Sequence, residues 1–387
     1  MAPKILVSAG EASGDLYAAC LVRELGRSLP GAQFFGCAGP RMRAAGVRTV
    51  VDAASLSVVG LVEVLGHIPR IYGEYRRMIA AARSERPDLA ILTDSPDFHL
   101  RLAPHLKALG IPVVYLVAPQ VWAWRKGRIR RIKCNIDRLL CIFPFEEEFF
   151  RQRGVRADYI GHPLVRLVRP SVSREEFFSS QGLASGRPLL TLLPGSRRGE
   201  ALRHMPALMD AVERLDSRRE FQFLLALPSG FWKDGGAALK RRIGGLPVRI
   251  VEGRTWDAMA HAELALAASG TVTVEAALLG VPMVTFYRVT SLTWHLGRFL
   301  VDVPFYSMVN LVAGRTVVPE LIQNEMTGER LAVEALRLLE DGARRERMRE
   351  DLSAVAAQLA GESDPFERAA QIVRQVLRLD QGVTHVA

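Results

Sequence analysis

Residues 264–288 read LALAASGTVTVEAALLGVPMVTFYR. Leu264 to Ala268 is an apolar run of strand length, and Ser269, Gly270 and Thr271 break it. Thr273 to Leu279 can form a helix, which Gly280 and Pro282 stop before a second apolar run, Met283 to Tyr287. Strand, tight turn, helix, turn, strand is half of a parallel α/β unit. In such a unit the carboxyl end of the strand meets the amino end of the helix, where free backbone N–H groups and the helix dipole favour an anion. Small residues at the turn admit a phosphate. Glu275, the one charge between Leu264 and Tyr287, sits a turn into the helix, where a carboxylate can accept hydrogen bonds from ribose hydroxyls. The stretch therefore predicts a nucleotide-diphosphate site. Two plainer readings stand beside it. The 24 residues up to Tyr287 are long enough to cross a bilayer, which takes about 20 apolar residues, but Ser, Gly, Thr, Glu and Pro interrupt them and favour a buried strand-helix-strand. Glu275 suits equally well an ordinary acid in a helix's first turn.

The alternation extends outward. Toward the amino terminus, Lys4 to Ala9, Gln33 to Ala38, Leu89 to Thr93, Val113 to Val117 and Arg138 to Ile142 read as strands. A helix is expected over Asp15 to Leu29 and a long broken helical region over Leu61 to Arg83. Between Gly161 and Ser173 the chain carries two Pro and no clear periodicity, as a linker does. The pattern then restarts with strands expected at Leu189 to Leu193, Gln222 to Ala226 and Val248 to Glu252, ahead of the two in the opening stretch. From Pro319 onward the chain is expected to be mostly helical, with a solvated charged face over Glu340 to Asp351. Continuous apolar strands spaced by helices mean parallel sheets covered on both faces. The expected fold is α/β, with two Rossmann-like, doubly wound parallel-sheet domains facing a cleft. Their expected limits are 1–168 and 169–362, followed by a helical tail over 363–387 that packs back on the first domain.

Composition narrows the function classes. A chain of 387 residues at 49% hydrophobic has ample core for two or three domains. Cys20, Cys37, Cys134 and Cys141 include no CxxC pair, so neither a zinc site nor a disulfide framework is supported, and they read as buried thiols in a reducing compartment. The opening MAPKILVSAG has an apolar run too short for a signal-peptide core, so a cytoplasmic protein is expected. The net charge of +10 predicts attraction to phosphates, whether on a nucleotide, a nucleic acid or a lipid.

In doubly wound sheets ligands bind at the carboxyl ends of the strands, so the candidate residues lie there. Gly10-Glu11-Ala12-Ser13-Gly14-Asp15 follows the first strand, but it is not GxGxxG and lacks the acid that would bind a dinucleotide ribose, which argues against a dehydrogenase. Gly10 and Gly14 let a substrate lie on the backbone, whereas Ser13 or Asp15 can simply cap the helix. Glu11 has little structural reason to stand there. Asp94 ends the strand Leu89 to Thr93 and is the natural general base if a sugar hydroxyl must be deprotonated. Asp97 reads as a helix N-cap, and His99 and His105 as surface or satisfied histidines. Trp122 and Trp124 precede six basic residues within Arg125 to Lys133, which suits a phosphate or lipid headgroup better than nucleic acid, since no nucleic-acid motif accompanies them. The tryptophans can equally be packing residues. Leu193-Pro194-Gly195-Ser196-Arg197-Arg198 ends the second half's first strand with the ingredients of a diphosphate grip: accessible N–H groups at Gly195 and Ser196, and the Arg197 fork. For Arg198 the residues favour no role.

Taken together, SAGEASGD at Ser8 to Asp15, DSPDF at Asp94 to Phe98, VWAWR at Val121 to Arg125, GHPL at Gly161 to Leu164, LPGSR at Leu193 to Arg197, SGTVTVE at Ser269 to Glu275, Tyr287-Arg288 and NLVAGR at Asn310 to Arg315 resemble lipid-A-disaccharide synthase. The matches run in order along nearly the whole chain. The resemblance implies the two-domain glycosyltransferase B fold and an inverting transfer of diacylglucosamine from UDP to the 6-hydroxyl of diacylglucosamine 1-phosphate. It implies that Asp94 is the essential aspartate and candidate base, and that Arg197 is the essential arginine at the diphosphate. Ser269, Gly270, Thr271 and Glu275 match the UDP cradle, to which Ser196 and Arg288 are added. Asn310 and a helix beginning near Pro319, with Glu320 and Gln323, match the segment facing the donor. Gly10, Ser13, Gly14, Trp122 and His162 are assigned to the acceptor side, and Glu11 joins Asp94 and Arg197 as a catalytic candidate. The chain departs from the family pattern at Ser95, where Ala is frequent, at His99, where Asn is frequent, and at Ser307-Met308-Val309-Asn310, where the family has Ser-Leu-Pro-Asn.

No metal and no other cofactor is expected, since no pair of acids beside the nucleotide loop suggests a DxD-type site. Because the substrates carry acyl chains, peripheral contact with the anionic inner membrane is expected through Ser57 to Ile68 followed by Arg70, Arg76 and Arg77, although a core helix would look the same. A homodimer is left open. Two other classes remain: a UDP-sugar epimerase of the same fold, and a basic non-catalytic protein that binds RNA or anionic lipid.

Overall fold

Seven strands, β1 (Lys4–Ala9), β2 (Gln33–Ala38), β3 (Arg48–Asp52), β4 (Leu89–Thr93), β5 (Val113–Leu116), β6 (Arg138–Cys141) and β7 (Ala157–Tyr159), form a parallel sheet in the order β3-β2-β1-β4-β5-β6-β7. Every residue of β4 and β5 is buried, which is why both read as unbroken apolar runs rather than alternating ones. The connecting helices are α1 (Ala12–Ser28), α2 (Pro40–Ala44), α3 (Leu61–Glu85), α4 (Pro96–Ala108), α5 (Ile129–Asn135) and α6 (Pro144–Arg151). The computed structural model describes residues 2–56, 61–218, 220–231, 236–290, 294–295 and 303–378, without the side chains of 61–68 and 238–239. The chain divides into two units: Met1–Pro163 with the stretch that begins at Leu359, and Leu164–Gln358. In the first, the helix Pro365–Val376 packs on α1 through a face that includes Phe366, Ala369, Ile372 and Val373. Asp364 caps that helix by accepting from the N–H groups of Phe366 and Glu367.

The second unit has six strands, β8 (Leu189–Leu193), β9 (Gln222–Leu227), β10 (Val248–Glu252), β11 (Leu264–Ala268), β12 (Met283–Tyr287) and β13 (Glu320–Ile322), parallel in the order β10-β9-β8-β11-β12-β13. Its helices include α7 (Leu164–Leu167), α8 (Arg174–Gln181), α9 (Arg198–Asp216), α10 (Gly236–Ile243), α11 (Thr255–Ala260) and α12 (Thr271–Leu278). In each unit the strand order reverses direction once, between β1 and β4 and between β8 and β11. Loops leaving two adjacent strands toward opposite sides open a crevice at that point.

The structure departs from the sequence reading at the sheet edges. β3, β7 and β13 fall outside the expected strands: β3 is flanked by Arg48 and Asp52, and the other two are three residues long, so none presents the apolar run on which strand assignment depends. β13 also replaces the start of the helix expected near Pro319, so Glu320 lies on a strand and Gln323 opens a 3-10 turn. Helix resumes only at Gly328, capped by Thr327. The linker stretch contains α7, and Ser171 binds the buried Asp257 carboxylate through both its N–H (2.6 Å) and its hydroxyl (2.8 Å). Cys37 and Cys141 are buried, but Cys20 is half-buried and Cys134 is exposed between Lys133 and Asn135, so the four cysteines are not uniformly interior.

Candidate active site

At the first switch point one carboxylate is held by the neighbouring strand's loop. Gly10 N–H donates to Asp94 Oδ1 (2.9 Å), and Glu11 N–H donates to Asp94 Oδ2 (3.2 Å). The approach demands glycine: a Cβ on Gly14 would lie 1.6 Å from Asp94 Oδ2, and one on Gly10 would lie 2.2 Å from Ser95 Oγ. Burial pushes the Asp94 carboxyl up from 3.8 to about 7, against the pull of the two N–H groups and the Ser95 hydroxyl and with a smaller push from the Glu11 charge. Asp94 and Ser95 both have left-handed backbone, with φ of 55° and 39°. Two consecutive non-glycine residues in this region mark a strained turn at the place where chemistry is expected. Glu11 is exposed at the head of α1 and its side chain caps nothing. Ser13 is exposed too. Asp15 does cap a helix, but not its own: it accepts from the N–H groups of Gly39, Arg41 and Met42 at the start of α2.

Two residues expected on the acceptor side, Trp122 and His162, are buried. Trp122 is buried and its indole N–H donates to the buried Glu146 (2.9 Å), whose other oxygen accepts from Ile142 and Phe143 N–H. His162 is 1% exposed, lies against the Phe143 ring and is pushed down to about 3 by burial. Both pack against the aromatic residues that follow β6, Phe143 and Phe145. Asp97 is not the cap of α4, whose N-cap position is Ser95; it pairs with Arg125 (3.1 Å) and with Arg128. Arg125 also stacks on the exposed Trp124 ring (4.3 Å).

At the second switch point β8 and β11 deliver two helix heads side by side. Neither Arg197, the N-cap position of α9, nor Gly270, that of α12, makes a side-chain capping bond. Helix heads of this kind offer their first N–H groups to an anion, although in α12 Thr273 N–H already donates to Gly270 O (3.1 Å). Gly270 has φ 151°, a conformation that admits only glycine readily. Ser269 Oγ donates to Tyr306 O (2.5 Å), which fixes the turn from outside. Arg197 and Ser196 are exposed, with Glu200 as the electrostatic neighbour of the Arg197 guanidinium. Glu200 lies under Gly195, where a Cβ would be 2.6 Å from its carboxylate oxygen. Thr271 is exposed and Glu275 half-buried; burial pushes the Glu275 carboxyl up to about 7, with the hydrogen bond from the Trp256 side chain opposing.

The remaining residues expected near the donor hold hydrogen bonds within the protein. Asn310 is fully buried and saturated: its Oδ1 accepts from Val317 and Val318 N–H, and its Nδ2 donates to Val318 O and Glu320 Oε1. Glu320 in turn accepts from Tyr306 and Ser307 N–H, both at 2.9 Å. Arg288 commits its Nε and Nη2 to the carbonyls of Gln323 and Met326, and the Gln323 side chain accepts from Val289 N–H (2.7 Å). These bonds tie together the segments that surround the second switch point. The sequence reading missed His204. Fully buried on α9, it lies 2.8 Å from Pro194 O through Nδ1 and accepts from Arg288 N–H at Nε2 (3.1 Å), tying the loop after β8 to the end of β12. A histidine on the apolar face of a helix, ten residues after such a loop, was the available signal.

Solved structures with this architecture include UDP-GlcNAc 2-epimerase from Neisseria meningitidis bound to UDP-GlcNAc, with a TM-score of 0.65 at 13% identity over 97% of this chain and 100% of that one. The calicheamicin glycosyltransferase CalG4 matches with a TM-score of 0.61 at 17% identity over 98% and 100%. Paired doubly wound sheets of this kind define the glycosyltransferase B class, which holds transferases and epimerases alike. Sequence narrows the choice. The family model for lipid-A-disaccharide synthetase matches residues 5–376. Lipid-A-disaccharide synthase of Solibacter usitatus is 63% identical over 100% of both chains, and that of Myxococcus xanthus 45% identical over 97% of this chain and 98% of the relative. The chain belongs to the lipid-A-disaccharide synthase family and is a hexosyltransferase of lipid A biosynthesis.

Proposed function

We propose that the chain moves 2,3-diacylglucosamine from UDP to the 6-hydroxyl of 2,3-diacylglucosamine 1-phosphate, with Asp94 as general base on the first unit and the second unit holding UDP. The acceptor oxygen attacks the anomeric carbon of the donor as the bond to the UDP phosphate oxygen breaks, which inverts that centre. Asp94 takes the proton of the attacking hydroxyl. The observation that carries this reading is the carboxylate of Asp94, mounted on two backbone N–H groups and raised to about 7. At that value it is a competent base at neutral pH without being too weak to accept a proton. Arg197, with the N–H groups at the heads of α9 and α12, stabilises the charge that grows on the departing diphosphate. Ser269, Gly270 and Thr271 form the turn on which that diphosphate rests, and Glu275 takes the ribose hydroxyls. Glu11 acts on Asp94 through its charge.

Acylated substrates bring the enzyme to the cytoplasmic face of the inner membrane. Among the described residues no helix is long and apolar enough to cross a membrane, and the association proposed is peripheral. The exposed Trp124 with Arg125 and the basic run to Lys133 supports it. The apolar segment Ser57 to Ile68, expected to serve the same end, lies outside the described residues at 57–60 and in its side chains beyond. Mass spectrometry after mixing the protein with UDP-diacylglucosamine and diacylglucosamine 1-phosphate tests the reaction. Tetra-acylated disaccharide monophosphate and free UDP are the expected products. An isomeric UDP-sugar with no net release of UDP and no disaccharide would put the epimerase reading in its place.

A further inference from the structure

We infer that Tyr115 and His99 are positioning residues that clamp the backbone carbonyl of Asp94 and thereby aim its carboxylate; the inference rests on the reading of Asp94 as the base. The carbonyl oxygen of Asp94 accepts two hydrogen bonds, from the Tyr115 hydroxyl and from His99 Nδ1 (2.8 Å). A carbonyl has two lone pairs, and this one has both filled by fully buried side chains from two different elements, β5 and α4. The oxygen can only accept, so His99 carries its proton on Nδ1, and Nε2 then accepts from the Ser8 hydroxyl (2.7 Å) on β1. Burial pushes His99 down to about 4, which keeps this neutral tautomer in place over the pH range of activity.

The clamp fixes the peptide plane between Asp94 and Ser95, the two residues held in left-handed backbone. Without it nothing on the carbonyl side opposes relaxation of Asp94 to ordinary extended geometry, and relaxation would swing the carboxylate off the N–H groups of Gly10 and Glu11. The sequence alone reads His99 as a surface or satisfied histidine. Its hydrogen bonds, however, serve the catalytic turn.

Tyr115→Phe removes one hydroxyl from a ring that stays packed, and His99→Leu removes the second donor. Each should lower kcat about tenfold or more while donor KM stays within about twofold, as expected when a reacting group is misplaced and substrate binding is left intact. The acid limb of the kcat/KM profile should also move to lower pH, because burial is the largest cause of the raised Asp94 value and a released carboxylate reaches water. The titratable groups around Asp94 are Glu11 at the head of α1, Cys37 on β2, Tyr115 on β5 and His99 on α4, with Asp97 and Arg128 beyond Tyr115. Neither substitution removes a charge from that set at neutral pH. A 13C carboxyl titration of labelled protein reads Asp94 without turnover, and its midpoint should fall in both variants. An unmoved midpoint in both overturns the clamp. A lower midpoint with wild-type kcat, while Asp94→Asn is inactive, overturns its positioning role. Wild-type turnover by Asp94→Asn would instead sink the base reading and leave the titration to decide the clamp.

Discussion

Replacing Asp94 with Asn is expected to push stability and turnover in opposite directions. The folded protein holds the Asp94 proton to about pH 7, whereas the unfolded chain releases it near 3.8. A group whose value is raised on folding favours the fold fully below the unfolded value, and that contribution is lost as pH climbs through the folded one. At 1.36 kcal/mol per unit the loss amounts to about 4 kcal/mol once both values are passed, and to about 3 kcal/mol between about pH 5 and about pH 8. Asn does not titrate. The unfolding free energy of the variant, relative to wild type, should therefore rise by about 3 kcal/mol across that window in urea titrations at the two pH values. The Asn amide nitrogen facing Glu11 N–H imposes a cost, but one that does not vary with pH, so the difference between the two conditions survives it. Turnover of the same preparations should fall by roughly 100-fold or more with donor KM unchanged. A stability difference that is flat with pH would refute the buried, proton-holding carboxylate, and wild-type turnover would refute its role as base.

Three further substitutions separate the parts of the site. Gly14→Ala puts a methyl group 1.6 Å from Asp94 Oδ2; it should cut kcat by about 100-fold through displaced geometry, while UDP affinity by calorimetry stays at the wild-type value. Arg197→Ala should weaken UDP binding by about 1.5–3 kcal/mol, the worth of a hydrogen bond to a charged group, and the loss should shrink with added salt; unchanged UDP affinity would remove Arg197 from the diphosphate. Asn310→Ala leaves two buried N–H groups and a carbonyl without their partner and should lower stability by about 2–4 kcal/mol. A variant of normal stability that had lost only donor binding would return Asn310 to the substrate.

The alternation of apolar runs with helices carried the α/β class, the central strands and the turns at their carboxyl ends without any tertiary information. Strands buried on both faces must be continuously apolar, and helices must stop at Gly and Pro. The placement of Asp94, Arg197 and the Ser269–Thr271 turn just past buried strands was legible for the same reason, since such strands stop where charged or small residues begin. The edge strands β3, β7 and β13 were not, because a short strand with one neighbour needs little apolar surface and is defined by its partner's backbone. Nor could sequence separate residues that touch a ligand from residues that hold its site. Asn310, Arg288, Gln323, Trp122 and His162 share the polarity or aromaticity expected of ligand-binding side chains, and only the folded structure shows what surrounds them. The same holds in reverse for His99 and His204, whose hydrogen bonds reach strands and loops 84 or more residues away in sequence. A hydrogen bond between distant segments leaves no periodicity in either one, so the bonds of Tyr115 and His99 around Asp94 and of His204 behind the loop after β8 exist only once the sheets have formed.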